Sequence, residues 1–342
     1  MTTCRIQQLE IPPDLLGPLQ EYTEDLADHQ ALEEAISQQG YVVLRAALDR
    51  PAVLAAREEV MTRLHEVGEI GTPPMDGIAT GTSQRRETAG DLGEFWRSVN
   101  QGTALRAVTH GSQLNQLVES VLGEPARPHD LMYLRPVTVG NCTDLHYDYP
   151  FFAGSSERIH TAWIPLGDVS LADGPLAVVE DSQHFGDLLD PIREHDYQRD
   201  RSNEAIQQAA YGKQNQVHPL TFCRQRDTRL LSSDFQAGDV LIFSMFTLHG
   251  SLENNSPLQL NLSQAEYWQA LDQVLDAGQL ELSSVRLKDH SVLTRARPPE
   301  QRARFKSASY AGLFRIEPVK ITAARDLRNP AISGTQLVLN IS

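Results

Sequence analysis

Two metal-binding residue types lie two positions apart in the segment Asp144–Tyr149, which reads Asp-Leu-His-Tyr-Asp-Tyr. We expect this segment to be a strand, in which residues two apart point to the same face. His146 and Asp148 would then share a face. Two histidines and one carboxylate leave three positions open on an octahedral metal, an arrangement that suits non-haem Fe(II). The pair therefore predicts most of such a site, if a second histidine joins it.

His249 is the candidate for that second histidine. It follows the apolar segment Val240–Met245, which we expect to be a strand, and it is followed by Gly250. It lies far along the chain from Asp148, so only folding can bring the three residues together. A His-x-Asp pattern alone is weak, and the alternative is a pair on a surface strand that binds no metal.

The elements that must position these residues are short β segments with turn signals, which are typical of a sandwich or barrel. The expected strands are 40–45, Leu131–Arg135, Asp144–Tyr149, Ile159–Leu166, Leu176–Val179, Val240–Met245 and Leu258–Ser263. Apolar spacing predicts helices over 24–40, from Asp49 to Gly68 and over 93–123, with a long loop over 69–92.

Three parts are expected along the chain. Residues 1–123 form a helical and mixed N-terminal part that packs on the core. Residues 124–270 form the β core, and a polar stretch at 187–230 interrupts it as a helical or loop insertion on the surface. Residues 271–342 are a C-terminal extension.

Composition excludes several classes of protein. The net charge of −15 argues against a nucleic-acid surface, which needs clustered Lys and Arg. The longest apolar stretch, Val240 to Leu248, is too short to span a bilayer. The first residues show no apolar run after a basic segment, so we expect no secretory signal. Three widely spaced cysteines match neither a zinc pattern nor a disulfide framework, which favours a reducing, cytoplasmic setting.

Several stretches, taken in order, resemble the phytanoyl-CoA dioxygenase family of Fe(II)/2-oxoglutarate oxygenases. They are Gly40-Tyr41-Val42-Val43-Leu44-Arg45, His146-Tyr147-Asp148, Trp163-Ile164-Pro165-Leu166-Gly167-Asp168-Val169, Asp173-Gly174-Pro175-Leu176, Gly238-Asp239-Val240-Leu241-Ile242-Phe243 and Leu248-His249-Gly250-Ser251. The ordered set is more specific than any one motif.

The resemblance implies a mainly β fold with flanking helices, built on a double-stranded β-helix (jelly-roll, cupin-like) core. It implies Fe(II) held by His146, Asp148 and His249, with 2-oxoglutarate as co-substrate and O₂ as oxidant. It also implies that Trp163 lines the co-substrate pocket, although a large core residue on a strand is an equal alternative. Thr143 precedes the ligand segment and is a candidate hydrogen-bond partner there.

One position departs from the family pattern, which places an arginine in an Arg-x-Ser motif after the distal histidine. That guanidinium forks onto the far carboxylate of 2-oxoglutarate. Here Asn261 stands in the motif and Ser263 matches its serine, while a strict residue count puts Leu260 there instead. Asn261 and Ser263 are the expected co-substrate contacts. A basic residue from another strand, Arg135 or Arg158, is an alternative source of the missing charge.

Three hypotheses for function follow. The first is an Fe(II)- and 2-oxoglutarate-dependent dioxygenase that hydroxylates a small organic molecule. The second is a catalytically altered or inactive metal-binding β-helix protein that serves as a sensor or partner subunit, which the missing arginine favours. The third is an iron oxygenase that does not consume 2-oxoglutarate. We expect no nucleic-acid or membrane partner, and the sequence carries no signal for an oligomeric state.

Overall fold

The computed structural model describes residues 3–89, 91–152, 157–197, 202–256, 261–270, 285–286, 292–293 and 338–339. From residue 261 onward the description is of the backbone. The chain divides into two compact units: Met1–His195 with Ala210–Gln273, and Asp196–Ala209 with Val274–Ser342. The candidate site lies entirely in the first unit.

The strands of the first unit range from 2 to 12 residues in length and belong mainly to two sheets. Among the described residues they are β1 (Arg5–Ile6), β2 (Leu9–Glu10), β3 (Leu16–Gly17), β4 (Tyr41–Leu44), β5 (Ala126–Val137), β6 (Ile159–Pro165), β7 (Leu176–Val179), β8 (Leu230–Leu231), β9 (Val240–Ser244), β10 (His249–Ser251) and β11 (Asn261–Ala270). The larger sheet has the order β4-β9-β6-β11-β5, and the smaller has the order β10-β7-β8-β3.

Helices make up much of the rest of the described chain. Those in the described residues are α1 (His29–Gln39), α2 (Arg50–Glu66), α3 (Arg85–Ala89), α4 (Leu92–Asn100), α5 (Thr103–Thr109), α6 (Ser112–Leu122), α7 (Tyr149–Phe152), α8 (Gly186–Glu194), α9 (Asn203–Tyr211) and α10 (Pro219–Gln225). Helix α9 crosses from the second unit into the first at Ala209/Ala210. In the described part of the chain, no helix combines the length and apolar character needed to cross a membrane.

Two apolar cores lie on the two faces of the larger sheet, because successive strand residues point to opposite faces. One core is formed by residues from both sheets: Leu19, Tyr41, Val43, Trp163, Leu176, Val178, Leu231, Phe235, Leu241 and Phe243. The other lies between the larger sheet and helices such as α2 and α6, and it includes Val42, Ile164 and Ile242. Two facing sheets with helices outside confirm the predicted jelly-roll core with flanking helices.

Local sequence explains the main helix boundaries. The Asp49 carboxylate accepts a hydrogen bond of 3.1 Å from the Ala52 N–H and caps α2, in which Pro51 sits in the first turn. Helix α1 ends at Gly40, whose φ of 81° is left-handed and suits glycine. It begins at His29, later than the predicted start at residue 24.

Several predicted elements differ from the structure. The single helix predicted over 93–123 is three helices, because the chain breaks at Gly102 and Gly111. The long loop at 69–92 contains helix α3. The strand predicted over Leu131–Arg135 is the longer β5, and of Leu258–Ser263 only the part from Asn261 lies within the described residues.

The polar stretch at 187–230 is largely helical, which is one of the two forms expected for it. It is not confined to the surface, since Leu189 and Phe222 are buried in it. In the second unit, β12 (Val285–Arg286) pairs antiparallel with both β13 (Val292–Leu293) and β14 (Val338–Leu339). The division into three parts bounded at 123 and 270 stays a prediction.

Candidate metal centre

Three buried side chains converge between the sheets. His146, Asp148 and His249 each offer one ligand atom, and these atoms lie within 4.8 Å of one another. Asp148 Oδ1 is 3.6 Å from His146 Nε2 and 3.8 Å from His249 Nε2. The exposed fractions of the three residues are 7%, 1% and 5% in chain order. Two imidazoles and one carboxylate at this spacing form the donor set of a facial triad.

The backbone brings the two histidines together. His146 N–H donates to the His249 carbonyl at 2.8 Å, and His249 N–H donates to the His146 carbonyl at 3.1 Å. His249 begins β10, which pairs with β7 in the smaller sheet. This reciprocal pair of hydrogen bonds places the two residues directly opposite each other, as in an antiparallel ladder.

The strand predicted over Asp144–Tyr149 is wrong. Only His146 pairs in β fashion, through an isolated bridge to His249, and helix α7 begins at Tyr149. The segment turns instead because Phe151 N–H donates to the Asp148 carbonyl at 3.0 Å. His146 and Asp148 still converge, because Asp148 Oδ1 lies 3.6 Å from His146 Nε2.

Both histidines are held by main-chain carbonyls two residues before them. His146 Nδ1 lies 2.9 Å from the Asp144 carbonyl oxygen, and His249 Nδ1 lies 3.0 Å from that of Thr247. A carbonyl only accepts, so each Nδ1 carries the proton and donates it. Each Nε2 therefore presents its lone pair to the centre of the triad, the state that binds a metal.

The two oxygens of Asp148 have different surroundings. Oδ2 accepts a hydrogen bond of 2.7 Å from the Thr161 hydroxyl on β6. Oδ1 is buried and has no hydrogen-bond partner among the described residues. A buried carboxylate oxygen without a donor is unfavourable unless a cation satisfies it. The residues therefore fit a divalent metal bound between Oδ1 and the two Nε2 atoms.

Burial keeps His146 neutral. The pKa of His146 is lowered well below its usual value, mainly by burial and then by the neighbouring His249 and the charge of Arg135. Metal binding requires the unprotonated imidazole, so the fold holds this ligand in the form that binds.

Aromatic rings enclose the histidines. The Tyr211 ring stacks on His146 at 5.1 Å between centroids, and Phe243 packs against His249 at 4.4 Å. Phe151 lies edge-on to His146 at 6.4 Å. Tyr211 comes from the polar insertion, where no spacing signal marks it. Thr161 was also missed, although it lies two residues before Trp163 and so shares its face of β6.

The four predicted co-substrate contacts lie at different places. Trp163 is buried in the core between the sheets and packs on Phe235 at 4.8 Å. Thr143 is buried next to the ligand segment, and its N–H donates to Ser251 Oγ at 2.8 Å. On β11 the backbone of Asn261 pairs with Val137, and that of Ser263 pairs with Arg135 and Pro165. Their roles stay predictions.

The two arginines considered as substitutes for the missing charge are far from equivalent. Arg158 pairs with Glu124 at 2.8 Å, and its side chain is about half exposed, at 54%. Arg135 lies on β5, where Nη1 donates to Thr143 Oγ1 beside the ligand segment. The charge of Arg135 also contributes to the lowered pKa of His146.

Comparison with known proteins agrees with this centre. Residues 36–258, well over half of the chain, match the family of phytanoyl-CoA dioxygenase (PhyH). A 1-deoxypentalenic acid 11-beta-hydroxylase from Streptomyces exfoliatus is 29% identical over 258 residues, covering 71% of this chain and 81% of that protein. The protein of the same name from Streptomyces arenae is 26% identical over 250 residues, with the same coverage.

Among solved structures, the non-heme alpha ketoglutarate dependent carbocyclase SnoK from nogalamycin biosynthesis is similar, with 18% identity and a TM-score of 0.48. That alignment covers 75% of this chain and 88% of SnoK. The family match confirms the resemblance seen in the ordered motifs from residue 40 onward. The chain belongs to the phytanoyl-CoA dioxygenase family.

Proposed function

We propose that this protein is an Fe(II)- and 2-oxoglutarate-dependent dioxygenase that hydroxylates a small organic molecule. One observation carries the proposal: two Nε2 atoms and an unpartnered carboxylate oxygen, Asp148 Oδ1, meet in a buried site. Membership of the phytanoyl-CoA dioxygenase family supports the same chemistry.

When bound, iron and 2-oxoglutarate supply the oxidation: one oxygen atom of O₂ enters succinate, with loss of CO₂, and the other enters a C–H bond of the substrate. The residues of the chain orient the metal ligands and shield them from water. The carbonyls of Asp144 and Thr247 orient the histidines, and Thr161 orients the carboxylate. The rings of Tyr211 and Phe243 exclude water from the histidines.

Asn261, Ser263, Trp163 and Thr143 are proposed to contact the co-substrate. The backbone register supports a place for Ser263 near the site, because it pairs with Arg135 and with Pro165, two residues beyond Trp163. Thr143 supports the proposal through its position beside the ligand segment.

The substrate is proposed to be a small organic molecule, and O₂ is the second partner. The two Streptomyces relatives are named for hydroxylation of 1-deoxypentalenic acid, which supports a small-molecule substrate here. The loop at 69–92 and the insertion at 187–230 are proposed to select it. Tyr211 supports this for the insertion, because it reaches His146. The wide spacing of the three cysteines, Cys4, Cys142 and Cys223, matches no disulfide framework and supports a reducing, cytoplasmic setting.

The test compares iron content and succinate formation in two carboxylate variants. Asp148→Ala removes a ligand, so we expect it to lose most bound Fe(II) and all 2-oxoglutarate-dependent succinate formation. Asp144→Asn is the matched control: it changes a nearby carboxylate that accepts from Gln7 but keeps the carbonyl that holds His146. The control should retain its iron. Wild-type iron content in Asp148→Ala would refute the triad.

A second candidate function rests on the absent arginine in the Arg-x-Ser motif. A metal-binding β-helix protein acting as a sensor or partner subunit would bind one iron per chain yet form no succinate. An iron oxygenase that does not consume 2-oxoglutarate would consume O₂ in its absence. Succinate formation by iron-replete wild-type protein would exclude both the sensor and the oxygenase that does not use 2-oxoglutarate. If no succinate forms, O₂ consumption without 2-oxoglutarate would favour that oxygenase over the sensor.

A further inference from the structure

The strand that follows the distal histidine lacks a cation at its expected place, but a neighbouring strand carries one. The arginine position of the motif holds Asn261, or Leu260 by a strict residue count, and neither is charged. The strand next to β11 at the edge of the larger sheet is β5, and there Arg135 pairs with Ser263, the serine of that same motif. The guanidinium of Arg135 therefore lies on β5, whereas the family pattern places its arginine on the strand that corresponds to β11.

Arg135 is held beside the triad. Its Nη1 donates to Thr143 Oγ1, and its guanidinium lies 4.8 Å from the centre of the Tyr133 ring. Thr143 is in turn tied to the strand of the distal histidine: its N–H donates to Ser251 Oγ at 2.8 Å, and its carbonyl accepts from Ser251 N–H at 3.2 Å. Arg135 and Thr143 are thus fixed relative to both histidine-bearing segments.

The two side chains have the donors that a carboxylate requires. A guanidinium carries five N–H groups in a planar fork that matches the two oxygens of a carboxylate. The Thr143 hydroxyl accepts from Arg135, so it keeps its own hydrogen for donation. Through Thr143, the guanidinium of Arg135 is held next to the segment that carries His146.

We propose that Arg135, assisted by Thr143, binds the far carboxylate of 2-oxoglutarate and takes the place of the arginine that β11 lacks. This inference rests on the proposed function. It makes Arg135 a binding residue for the co-substrate. It also accounts for a 2-oxoglutarate enzyme with Asn261 in the motif.

The experiment is an anaerobic titration of the Fe(II)-loaded full chain, followed by the visible charge-transfer band that chelation of a 2-oxo acid produces. Two ligands are compared: 2-oxoglutarate, and pyruvate, which has the same chelating end but no far carboxylate. In the wild type, 2-oxoglutarate should bind far more tightly than pyruvate. In Arg135→Gln, the Kd for 2-oxoglutarate should rise by about a hundredfold or more, because a carboxylate loses its cation. The Kd for pyruvate should stay unchanged.

Two further variants make the result specific. Arg158→Gln makes the same substitution at the arginine paired with Glu124, and both Kd values should match the wild type. Arg135→Lys keeps the charge but loses the fork, so its Kd for 2-oxoglutarate should lie between those of the wild type and Arg135→Gln. If Arg135→Gln does not fold, Arg135→Lys and Thr143→Val decide, since each should weaken 2-oxoglutarate binding and spare pyruvate.

Failure of the inference differs from failure of the proposed function. If the wild type chelates 2-oxoglutarate and Arg135→Gln does so with the same Kd, Arg135 is not the anchor and only the inference is lost. If both ligands weaken equally in every Arg135 variant, Arg135 supports the iron site in general and the inference is again overturned. If the iron-replete wild type shows no band with 2-oxoglutarate, the proposed function falls, and the inference with it.

Discussion

The hydrogen bond from Thr161 to Asp148 should govern how tightly the protein holds iron. The donor and acceptor are each 1% exposed, and the bond measures 2.7 Å. Thr161→Val keeps the shape of the side chain and removes the donor. A hydrogen bond to a charged group contributes about 1.5–3 kcal/mol. Loss of such a partner of a metal ligand typically weakens metal affinity by about 10- to 100-fold. We expect that range for Fe(II).

The assay is competition for Fe(II) with a chelator of known affinity, together with urea unfolding of the iron-free protein. Thr161→Ser retains the hydroxyl and should bind iron nearly as the wild type does. Thr109→Val is the matched control, because the Thr109 hydroxyl is also buried but donates to the Leu105 carbonyl within α5. An unchanged Kd for iron in Thr161→Val would refute the role of this bond, as would an equal loss in Thr109→Val.

Two further predictions concern pH and packing. Burial and the charge of Arg158 lower the pKa of His160 to about 4, below the value of about 6.5 in an unfolded chain. The unfolded state then binds more protons, so stability should fall as the pH drops from about 6.5 to about 4. His160→Asn should reduce that fall in urea unfolding near pH 7 and pH 5, and an unchanged fall would count against it. A Cβ on Gly250 would lie 2.6 Å from the Thr143 carbonyl oxygen, a backbone atom. Gly250→Ala should therefore cost about 1–3 kcal/mol of stability and lower iron retention, whereas Gly71→Ala, 3.7 Å from its nearest neighbour, should do neither.

Residue type and order were sufficient to predict much of the core. Strand β7 matches the predicted segment Leu176–Val179, because a short apolar run between turn signals is typical of a buried strand. The capping residue Asp49 marked the start of α2. The histidines and carboxylate were identified as a set through the ordered motifs of the family resemblance, because the His-x-Asp pattern alone is weak, and the strand proposed to align two of them does not exist.

The remaining features depend on contacts between distant segments. Tyr211 stacks on His146 from an insertion whose polar composition predicts only a surface. The turn at Asp148 depends on a backbone hydrogen bond from Phe151, and alternation of residue types does not reveal it. Arg135 lies opposite Ser263 because of the register between β5 and β11. That register is fixed when the sheet assembles, and neither strand reveals it alone.

The carbonyls that orient the two histidines have a consequence for how this centre can change over generations. Every residue type has a main-chain carbonyl, so substitutions at Asp144 and Thr247 leave the imidazole tautomers as they are. The orientation of the two histidine ligands should therefore tolerate many substitutions at the residues that supply these carbonyls. A position where an added side chain would separate the two segments, such as Gly250, is in contrast sensitive to substitution. Such a protein can acquire new side chains around its iron, and with them new substrates, while its ligand orientation persists.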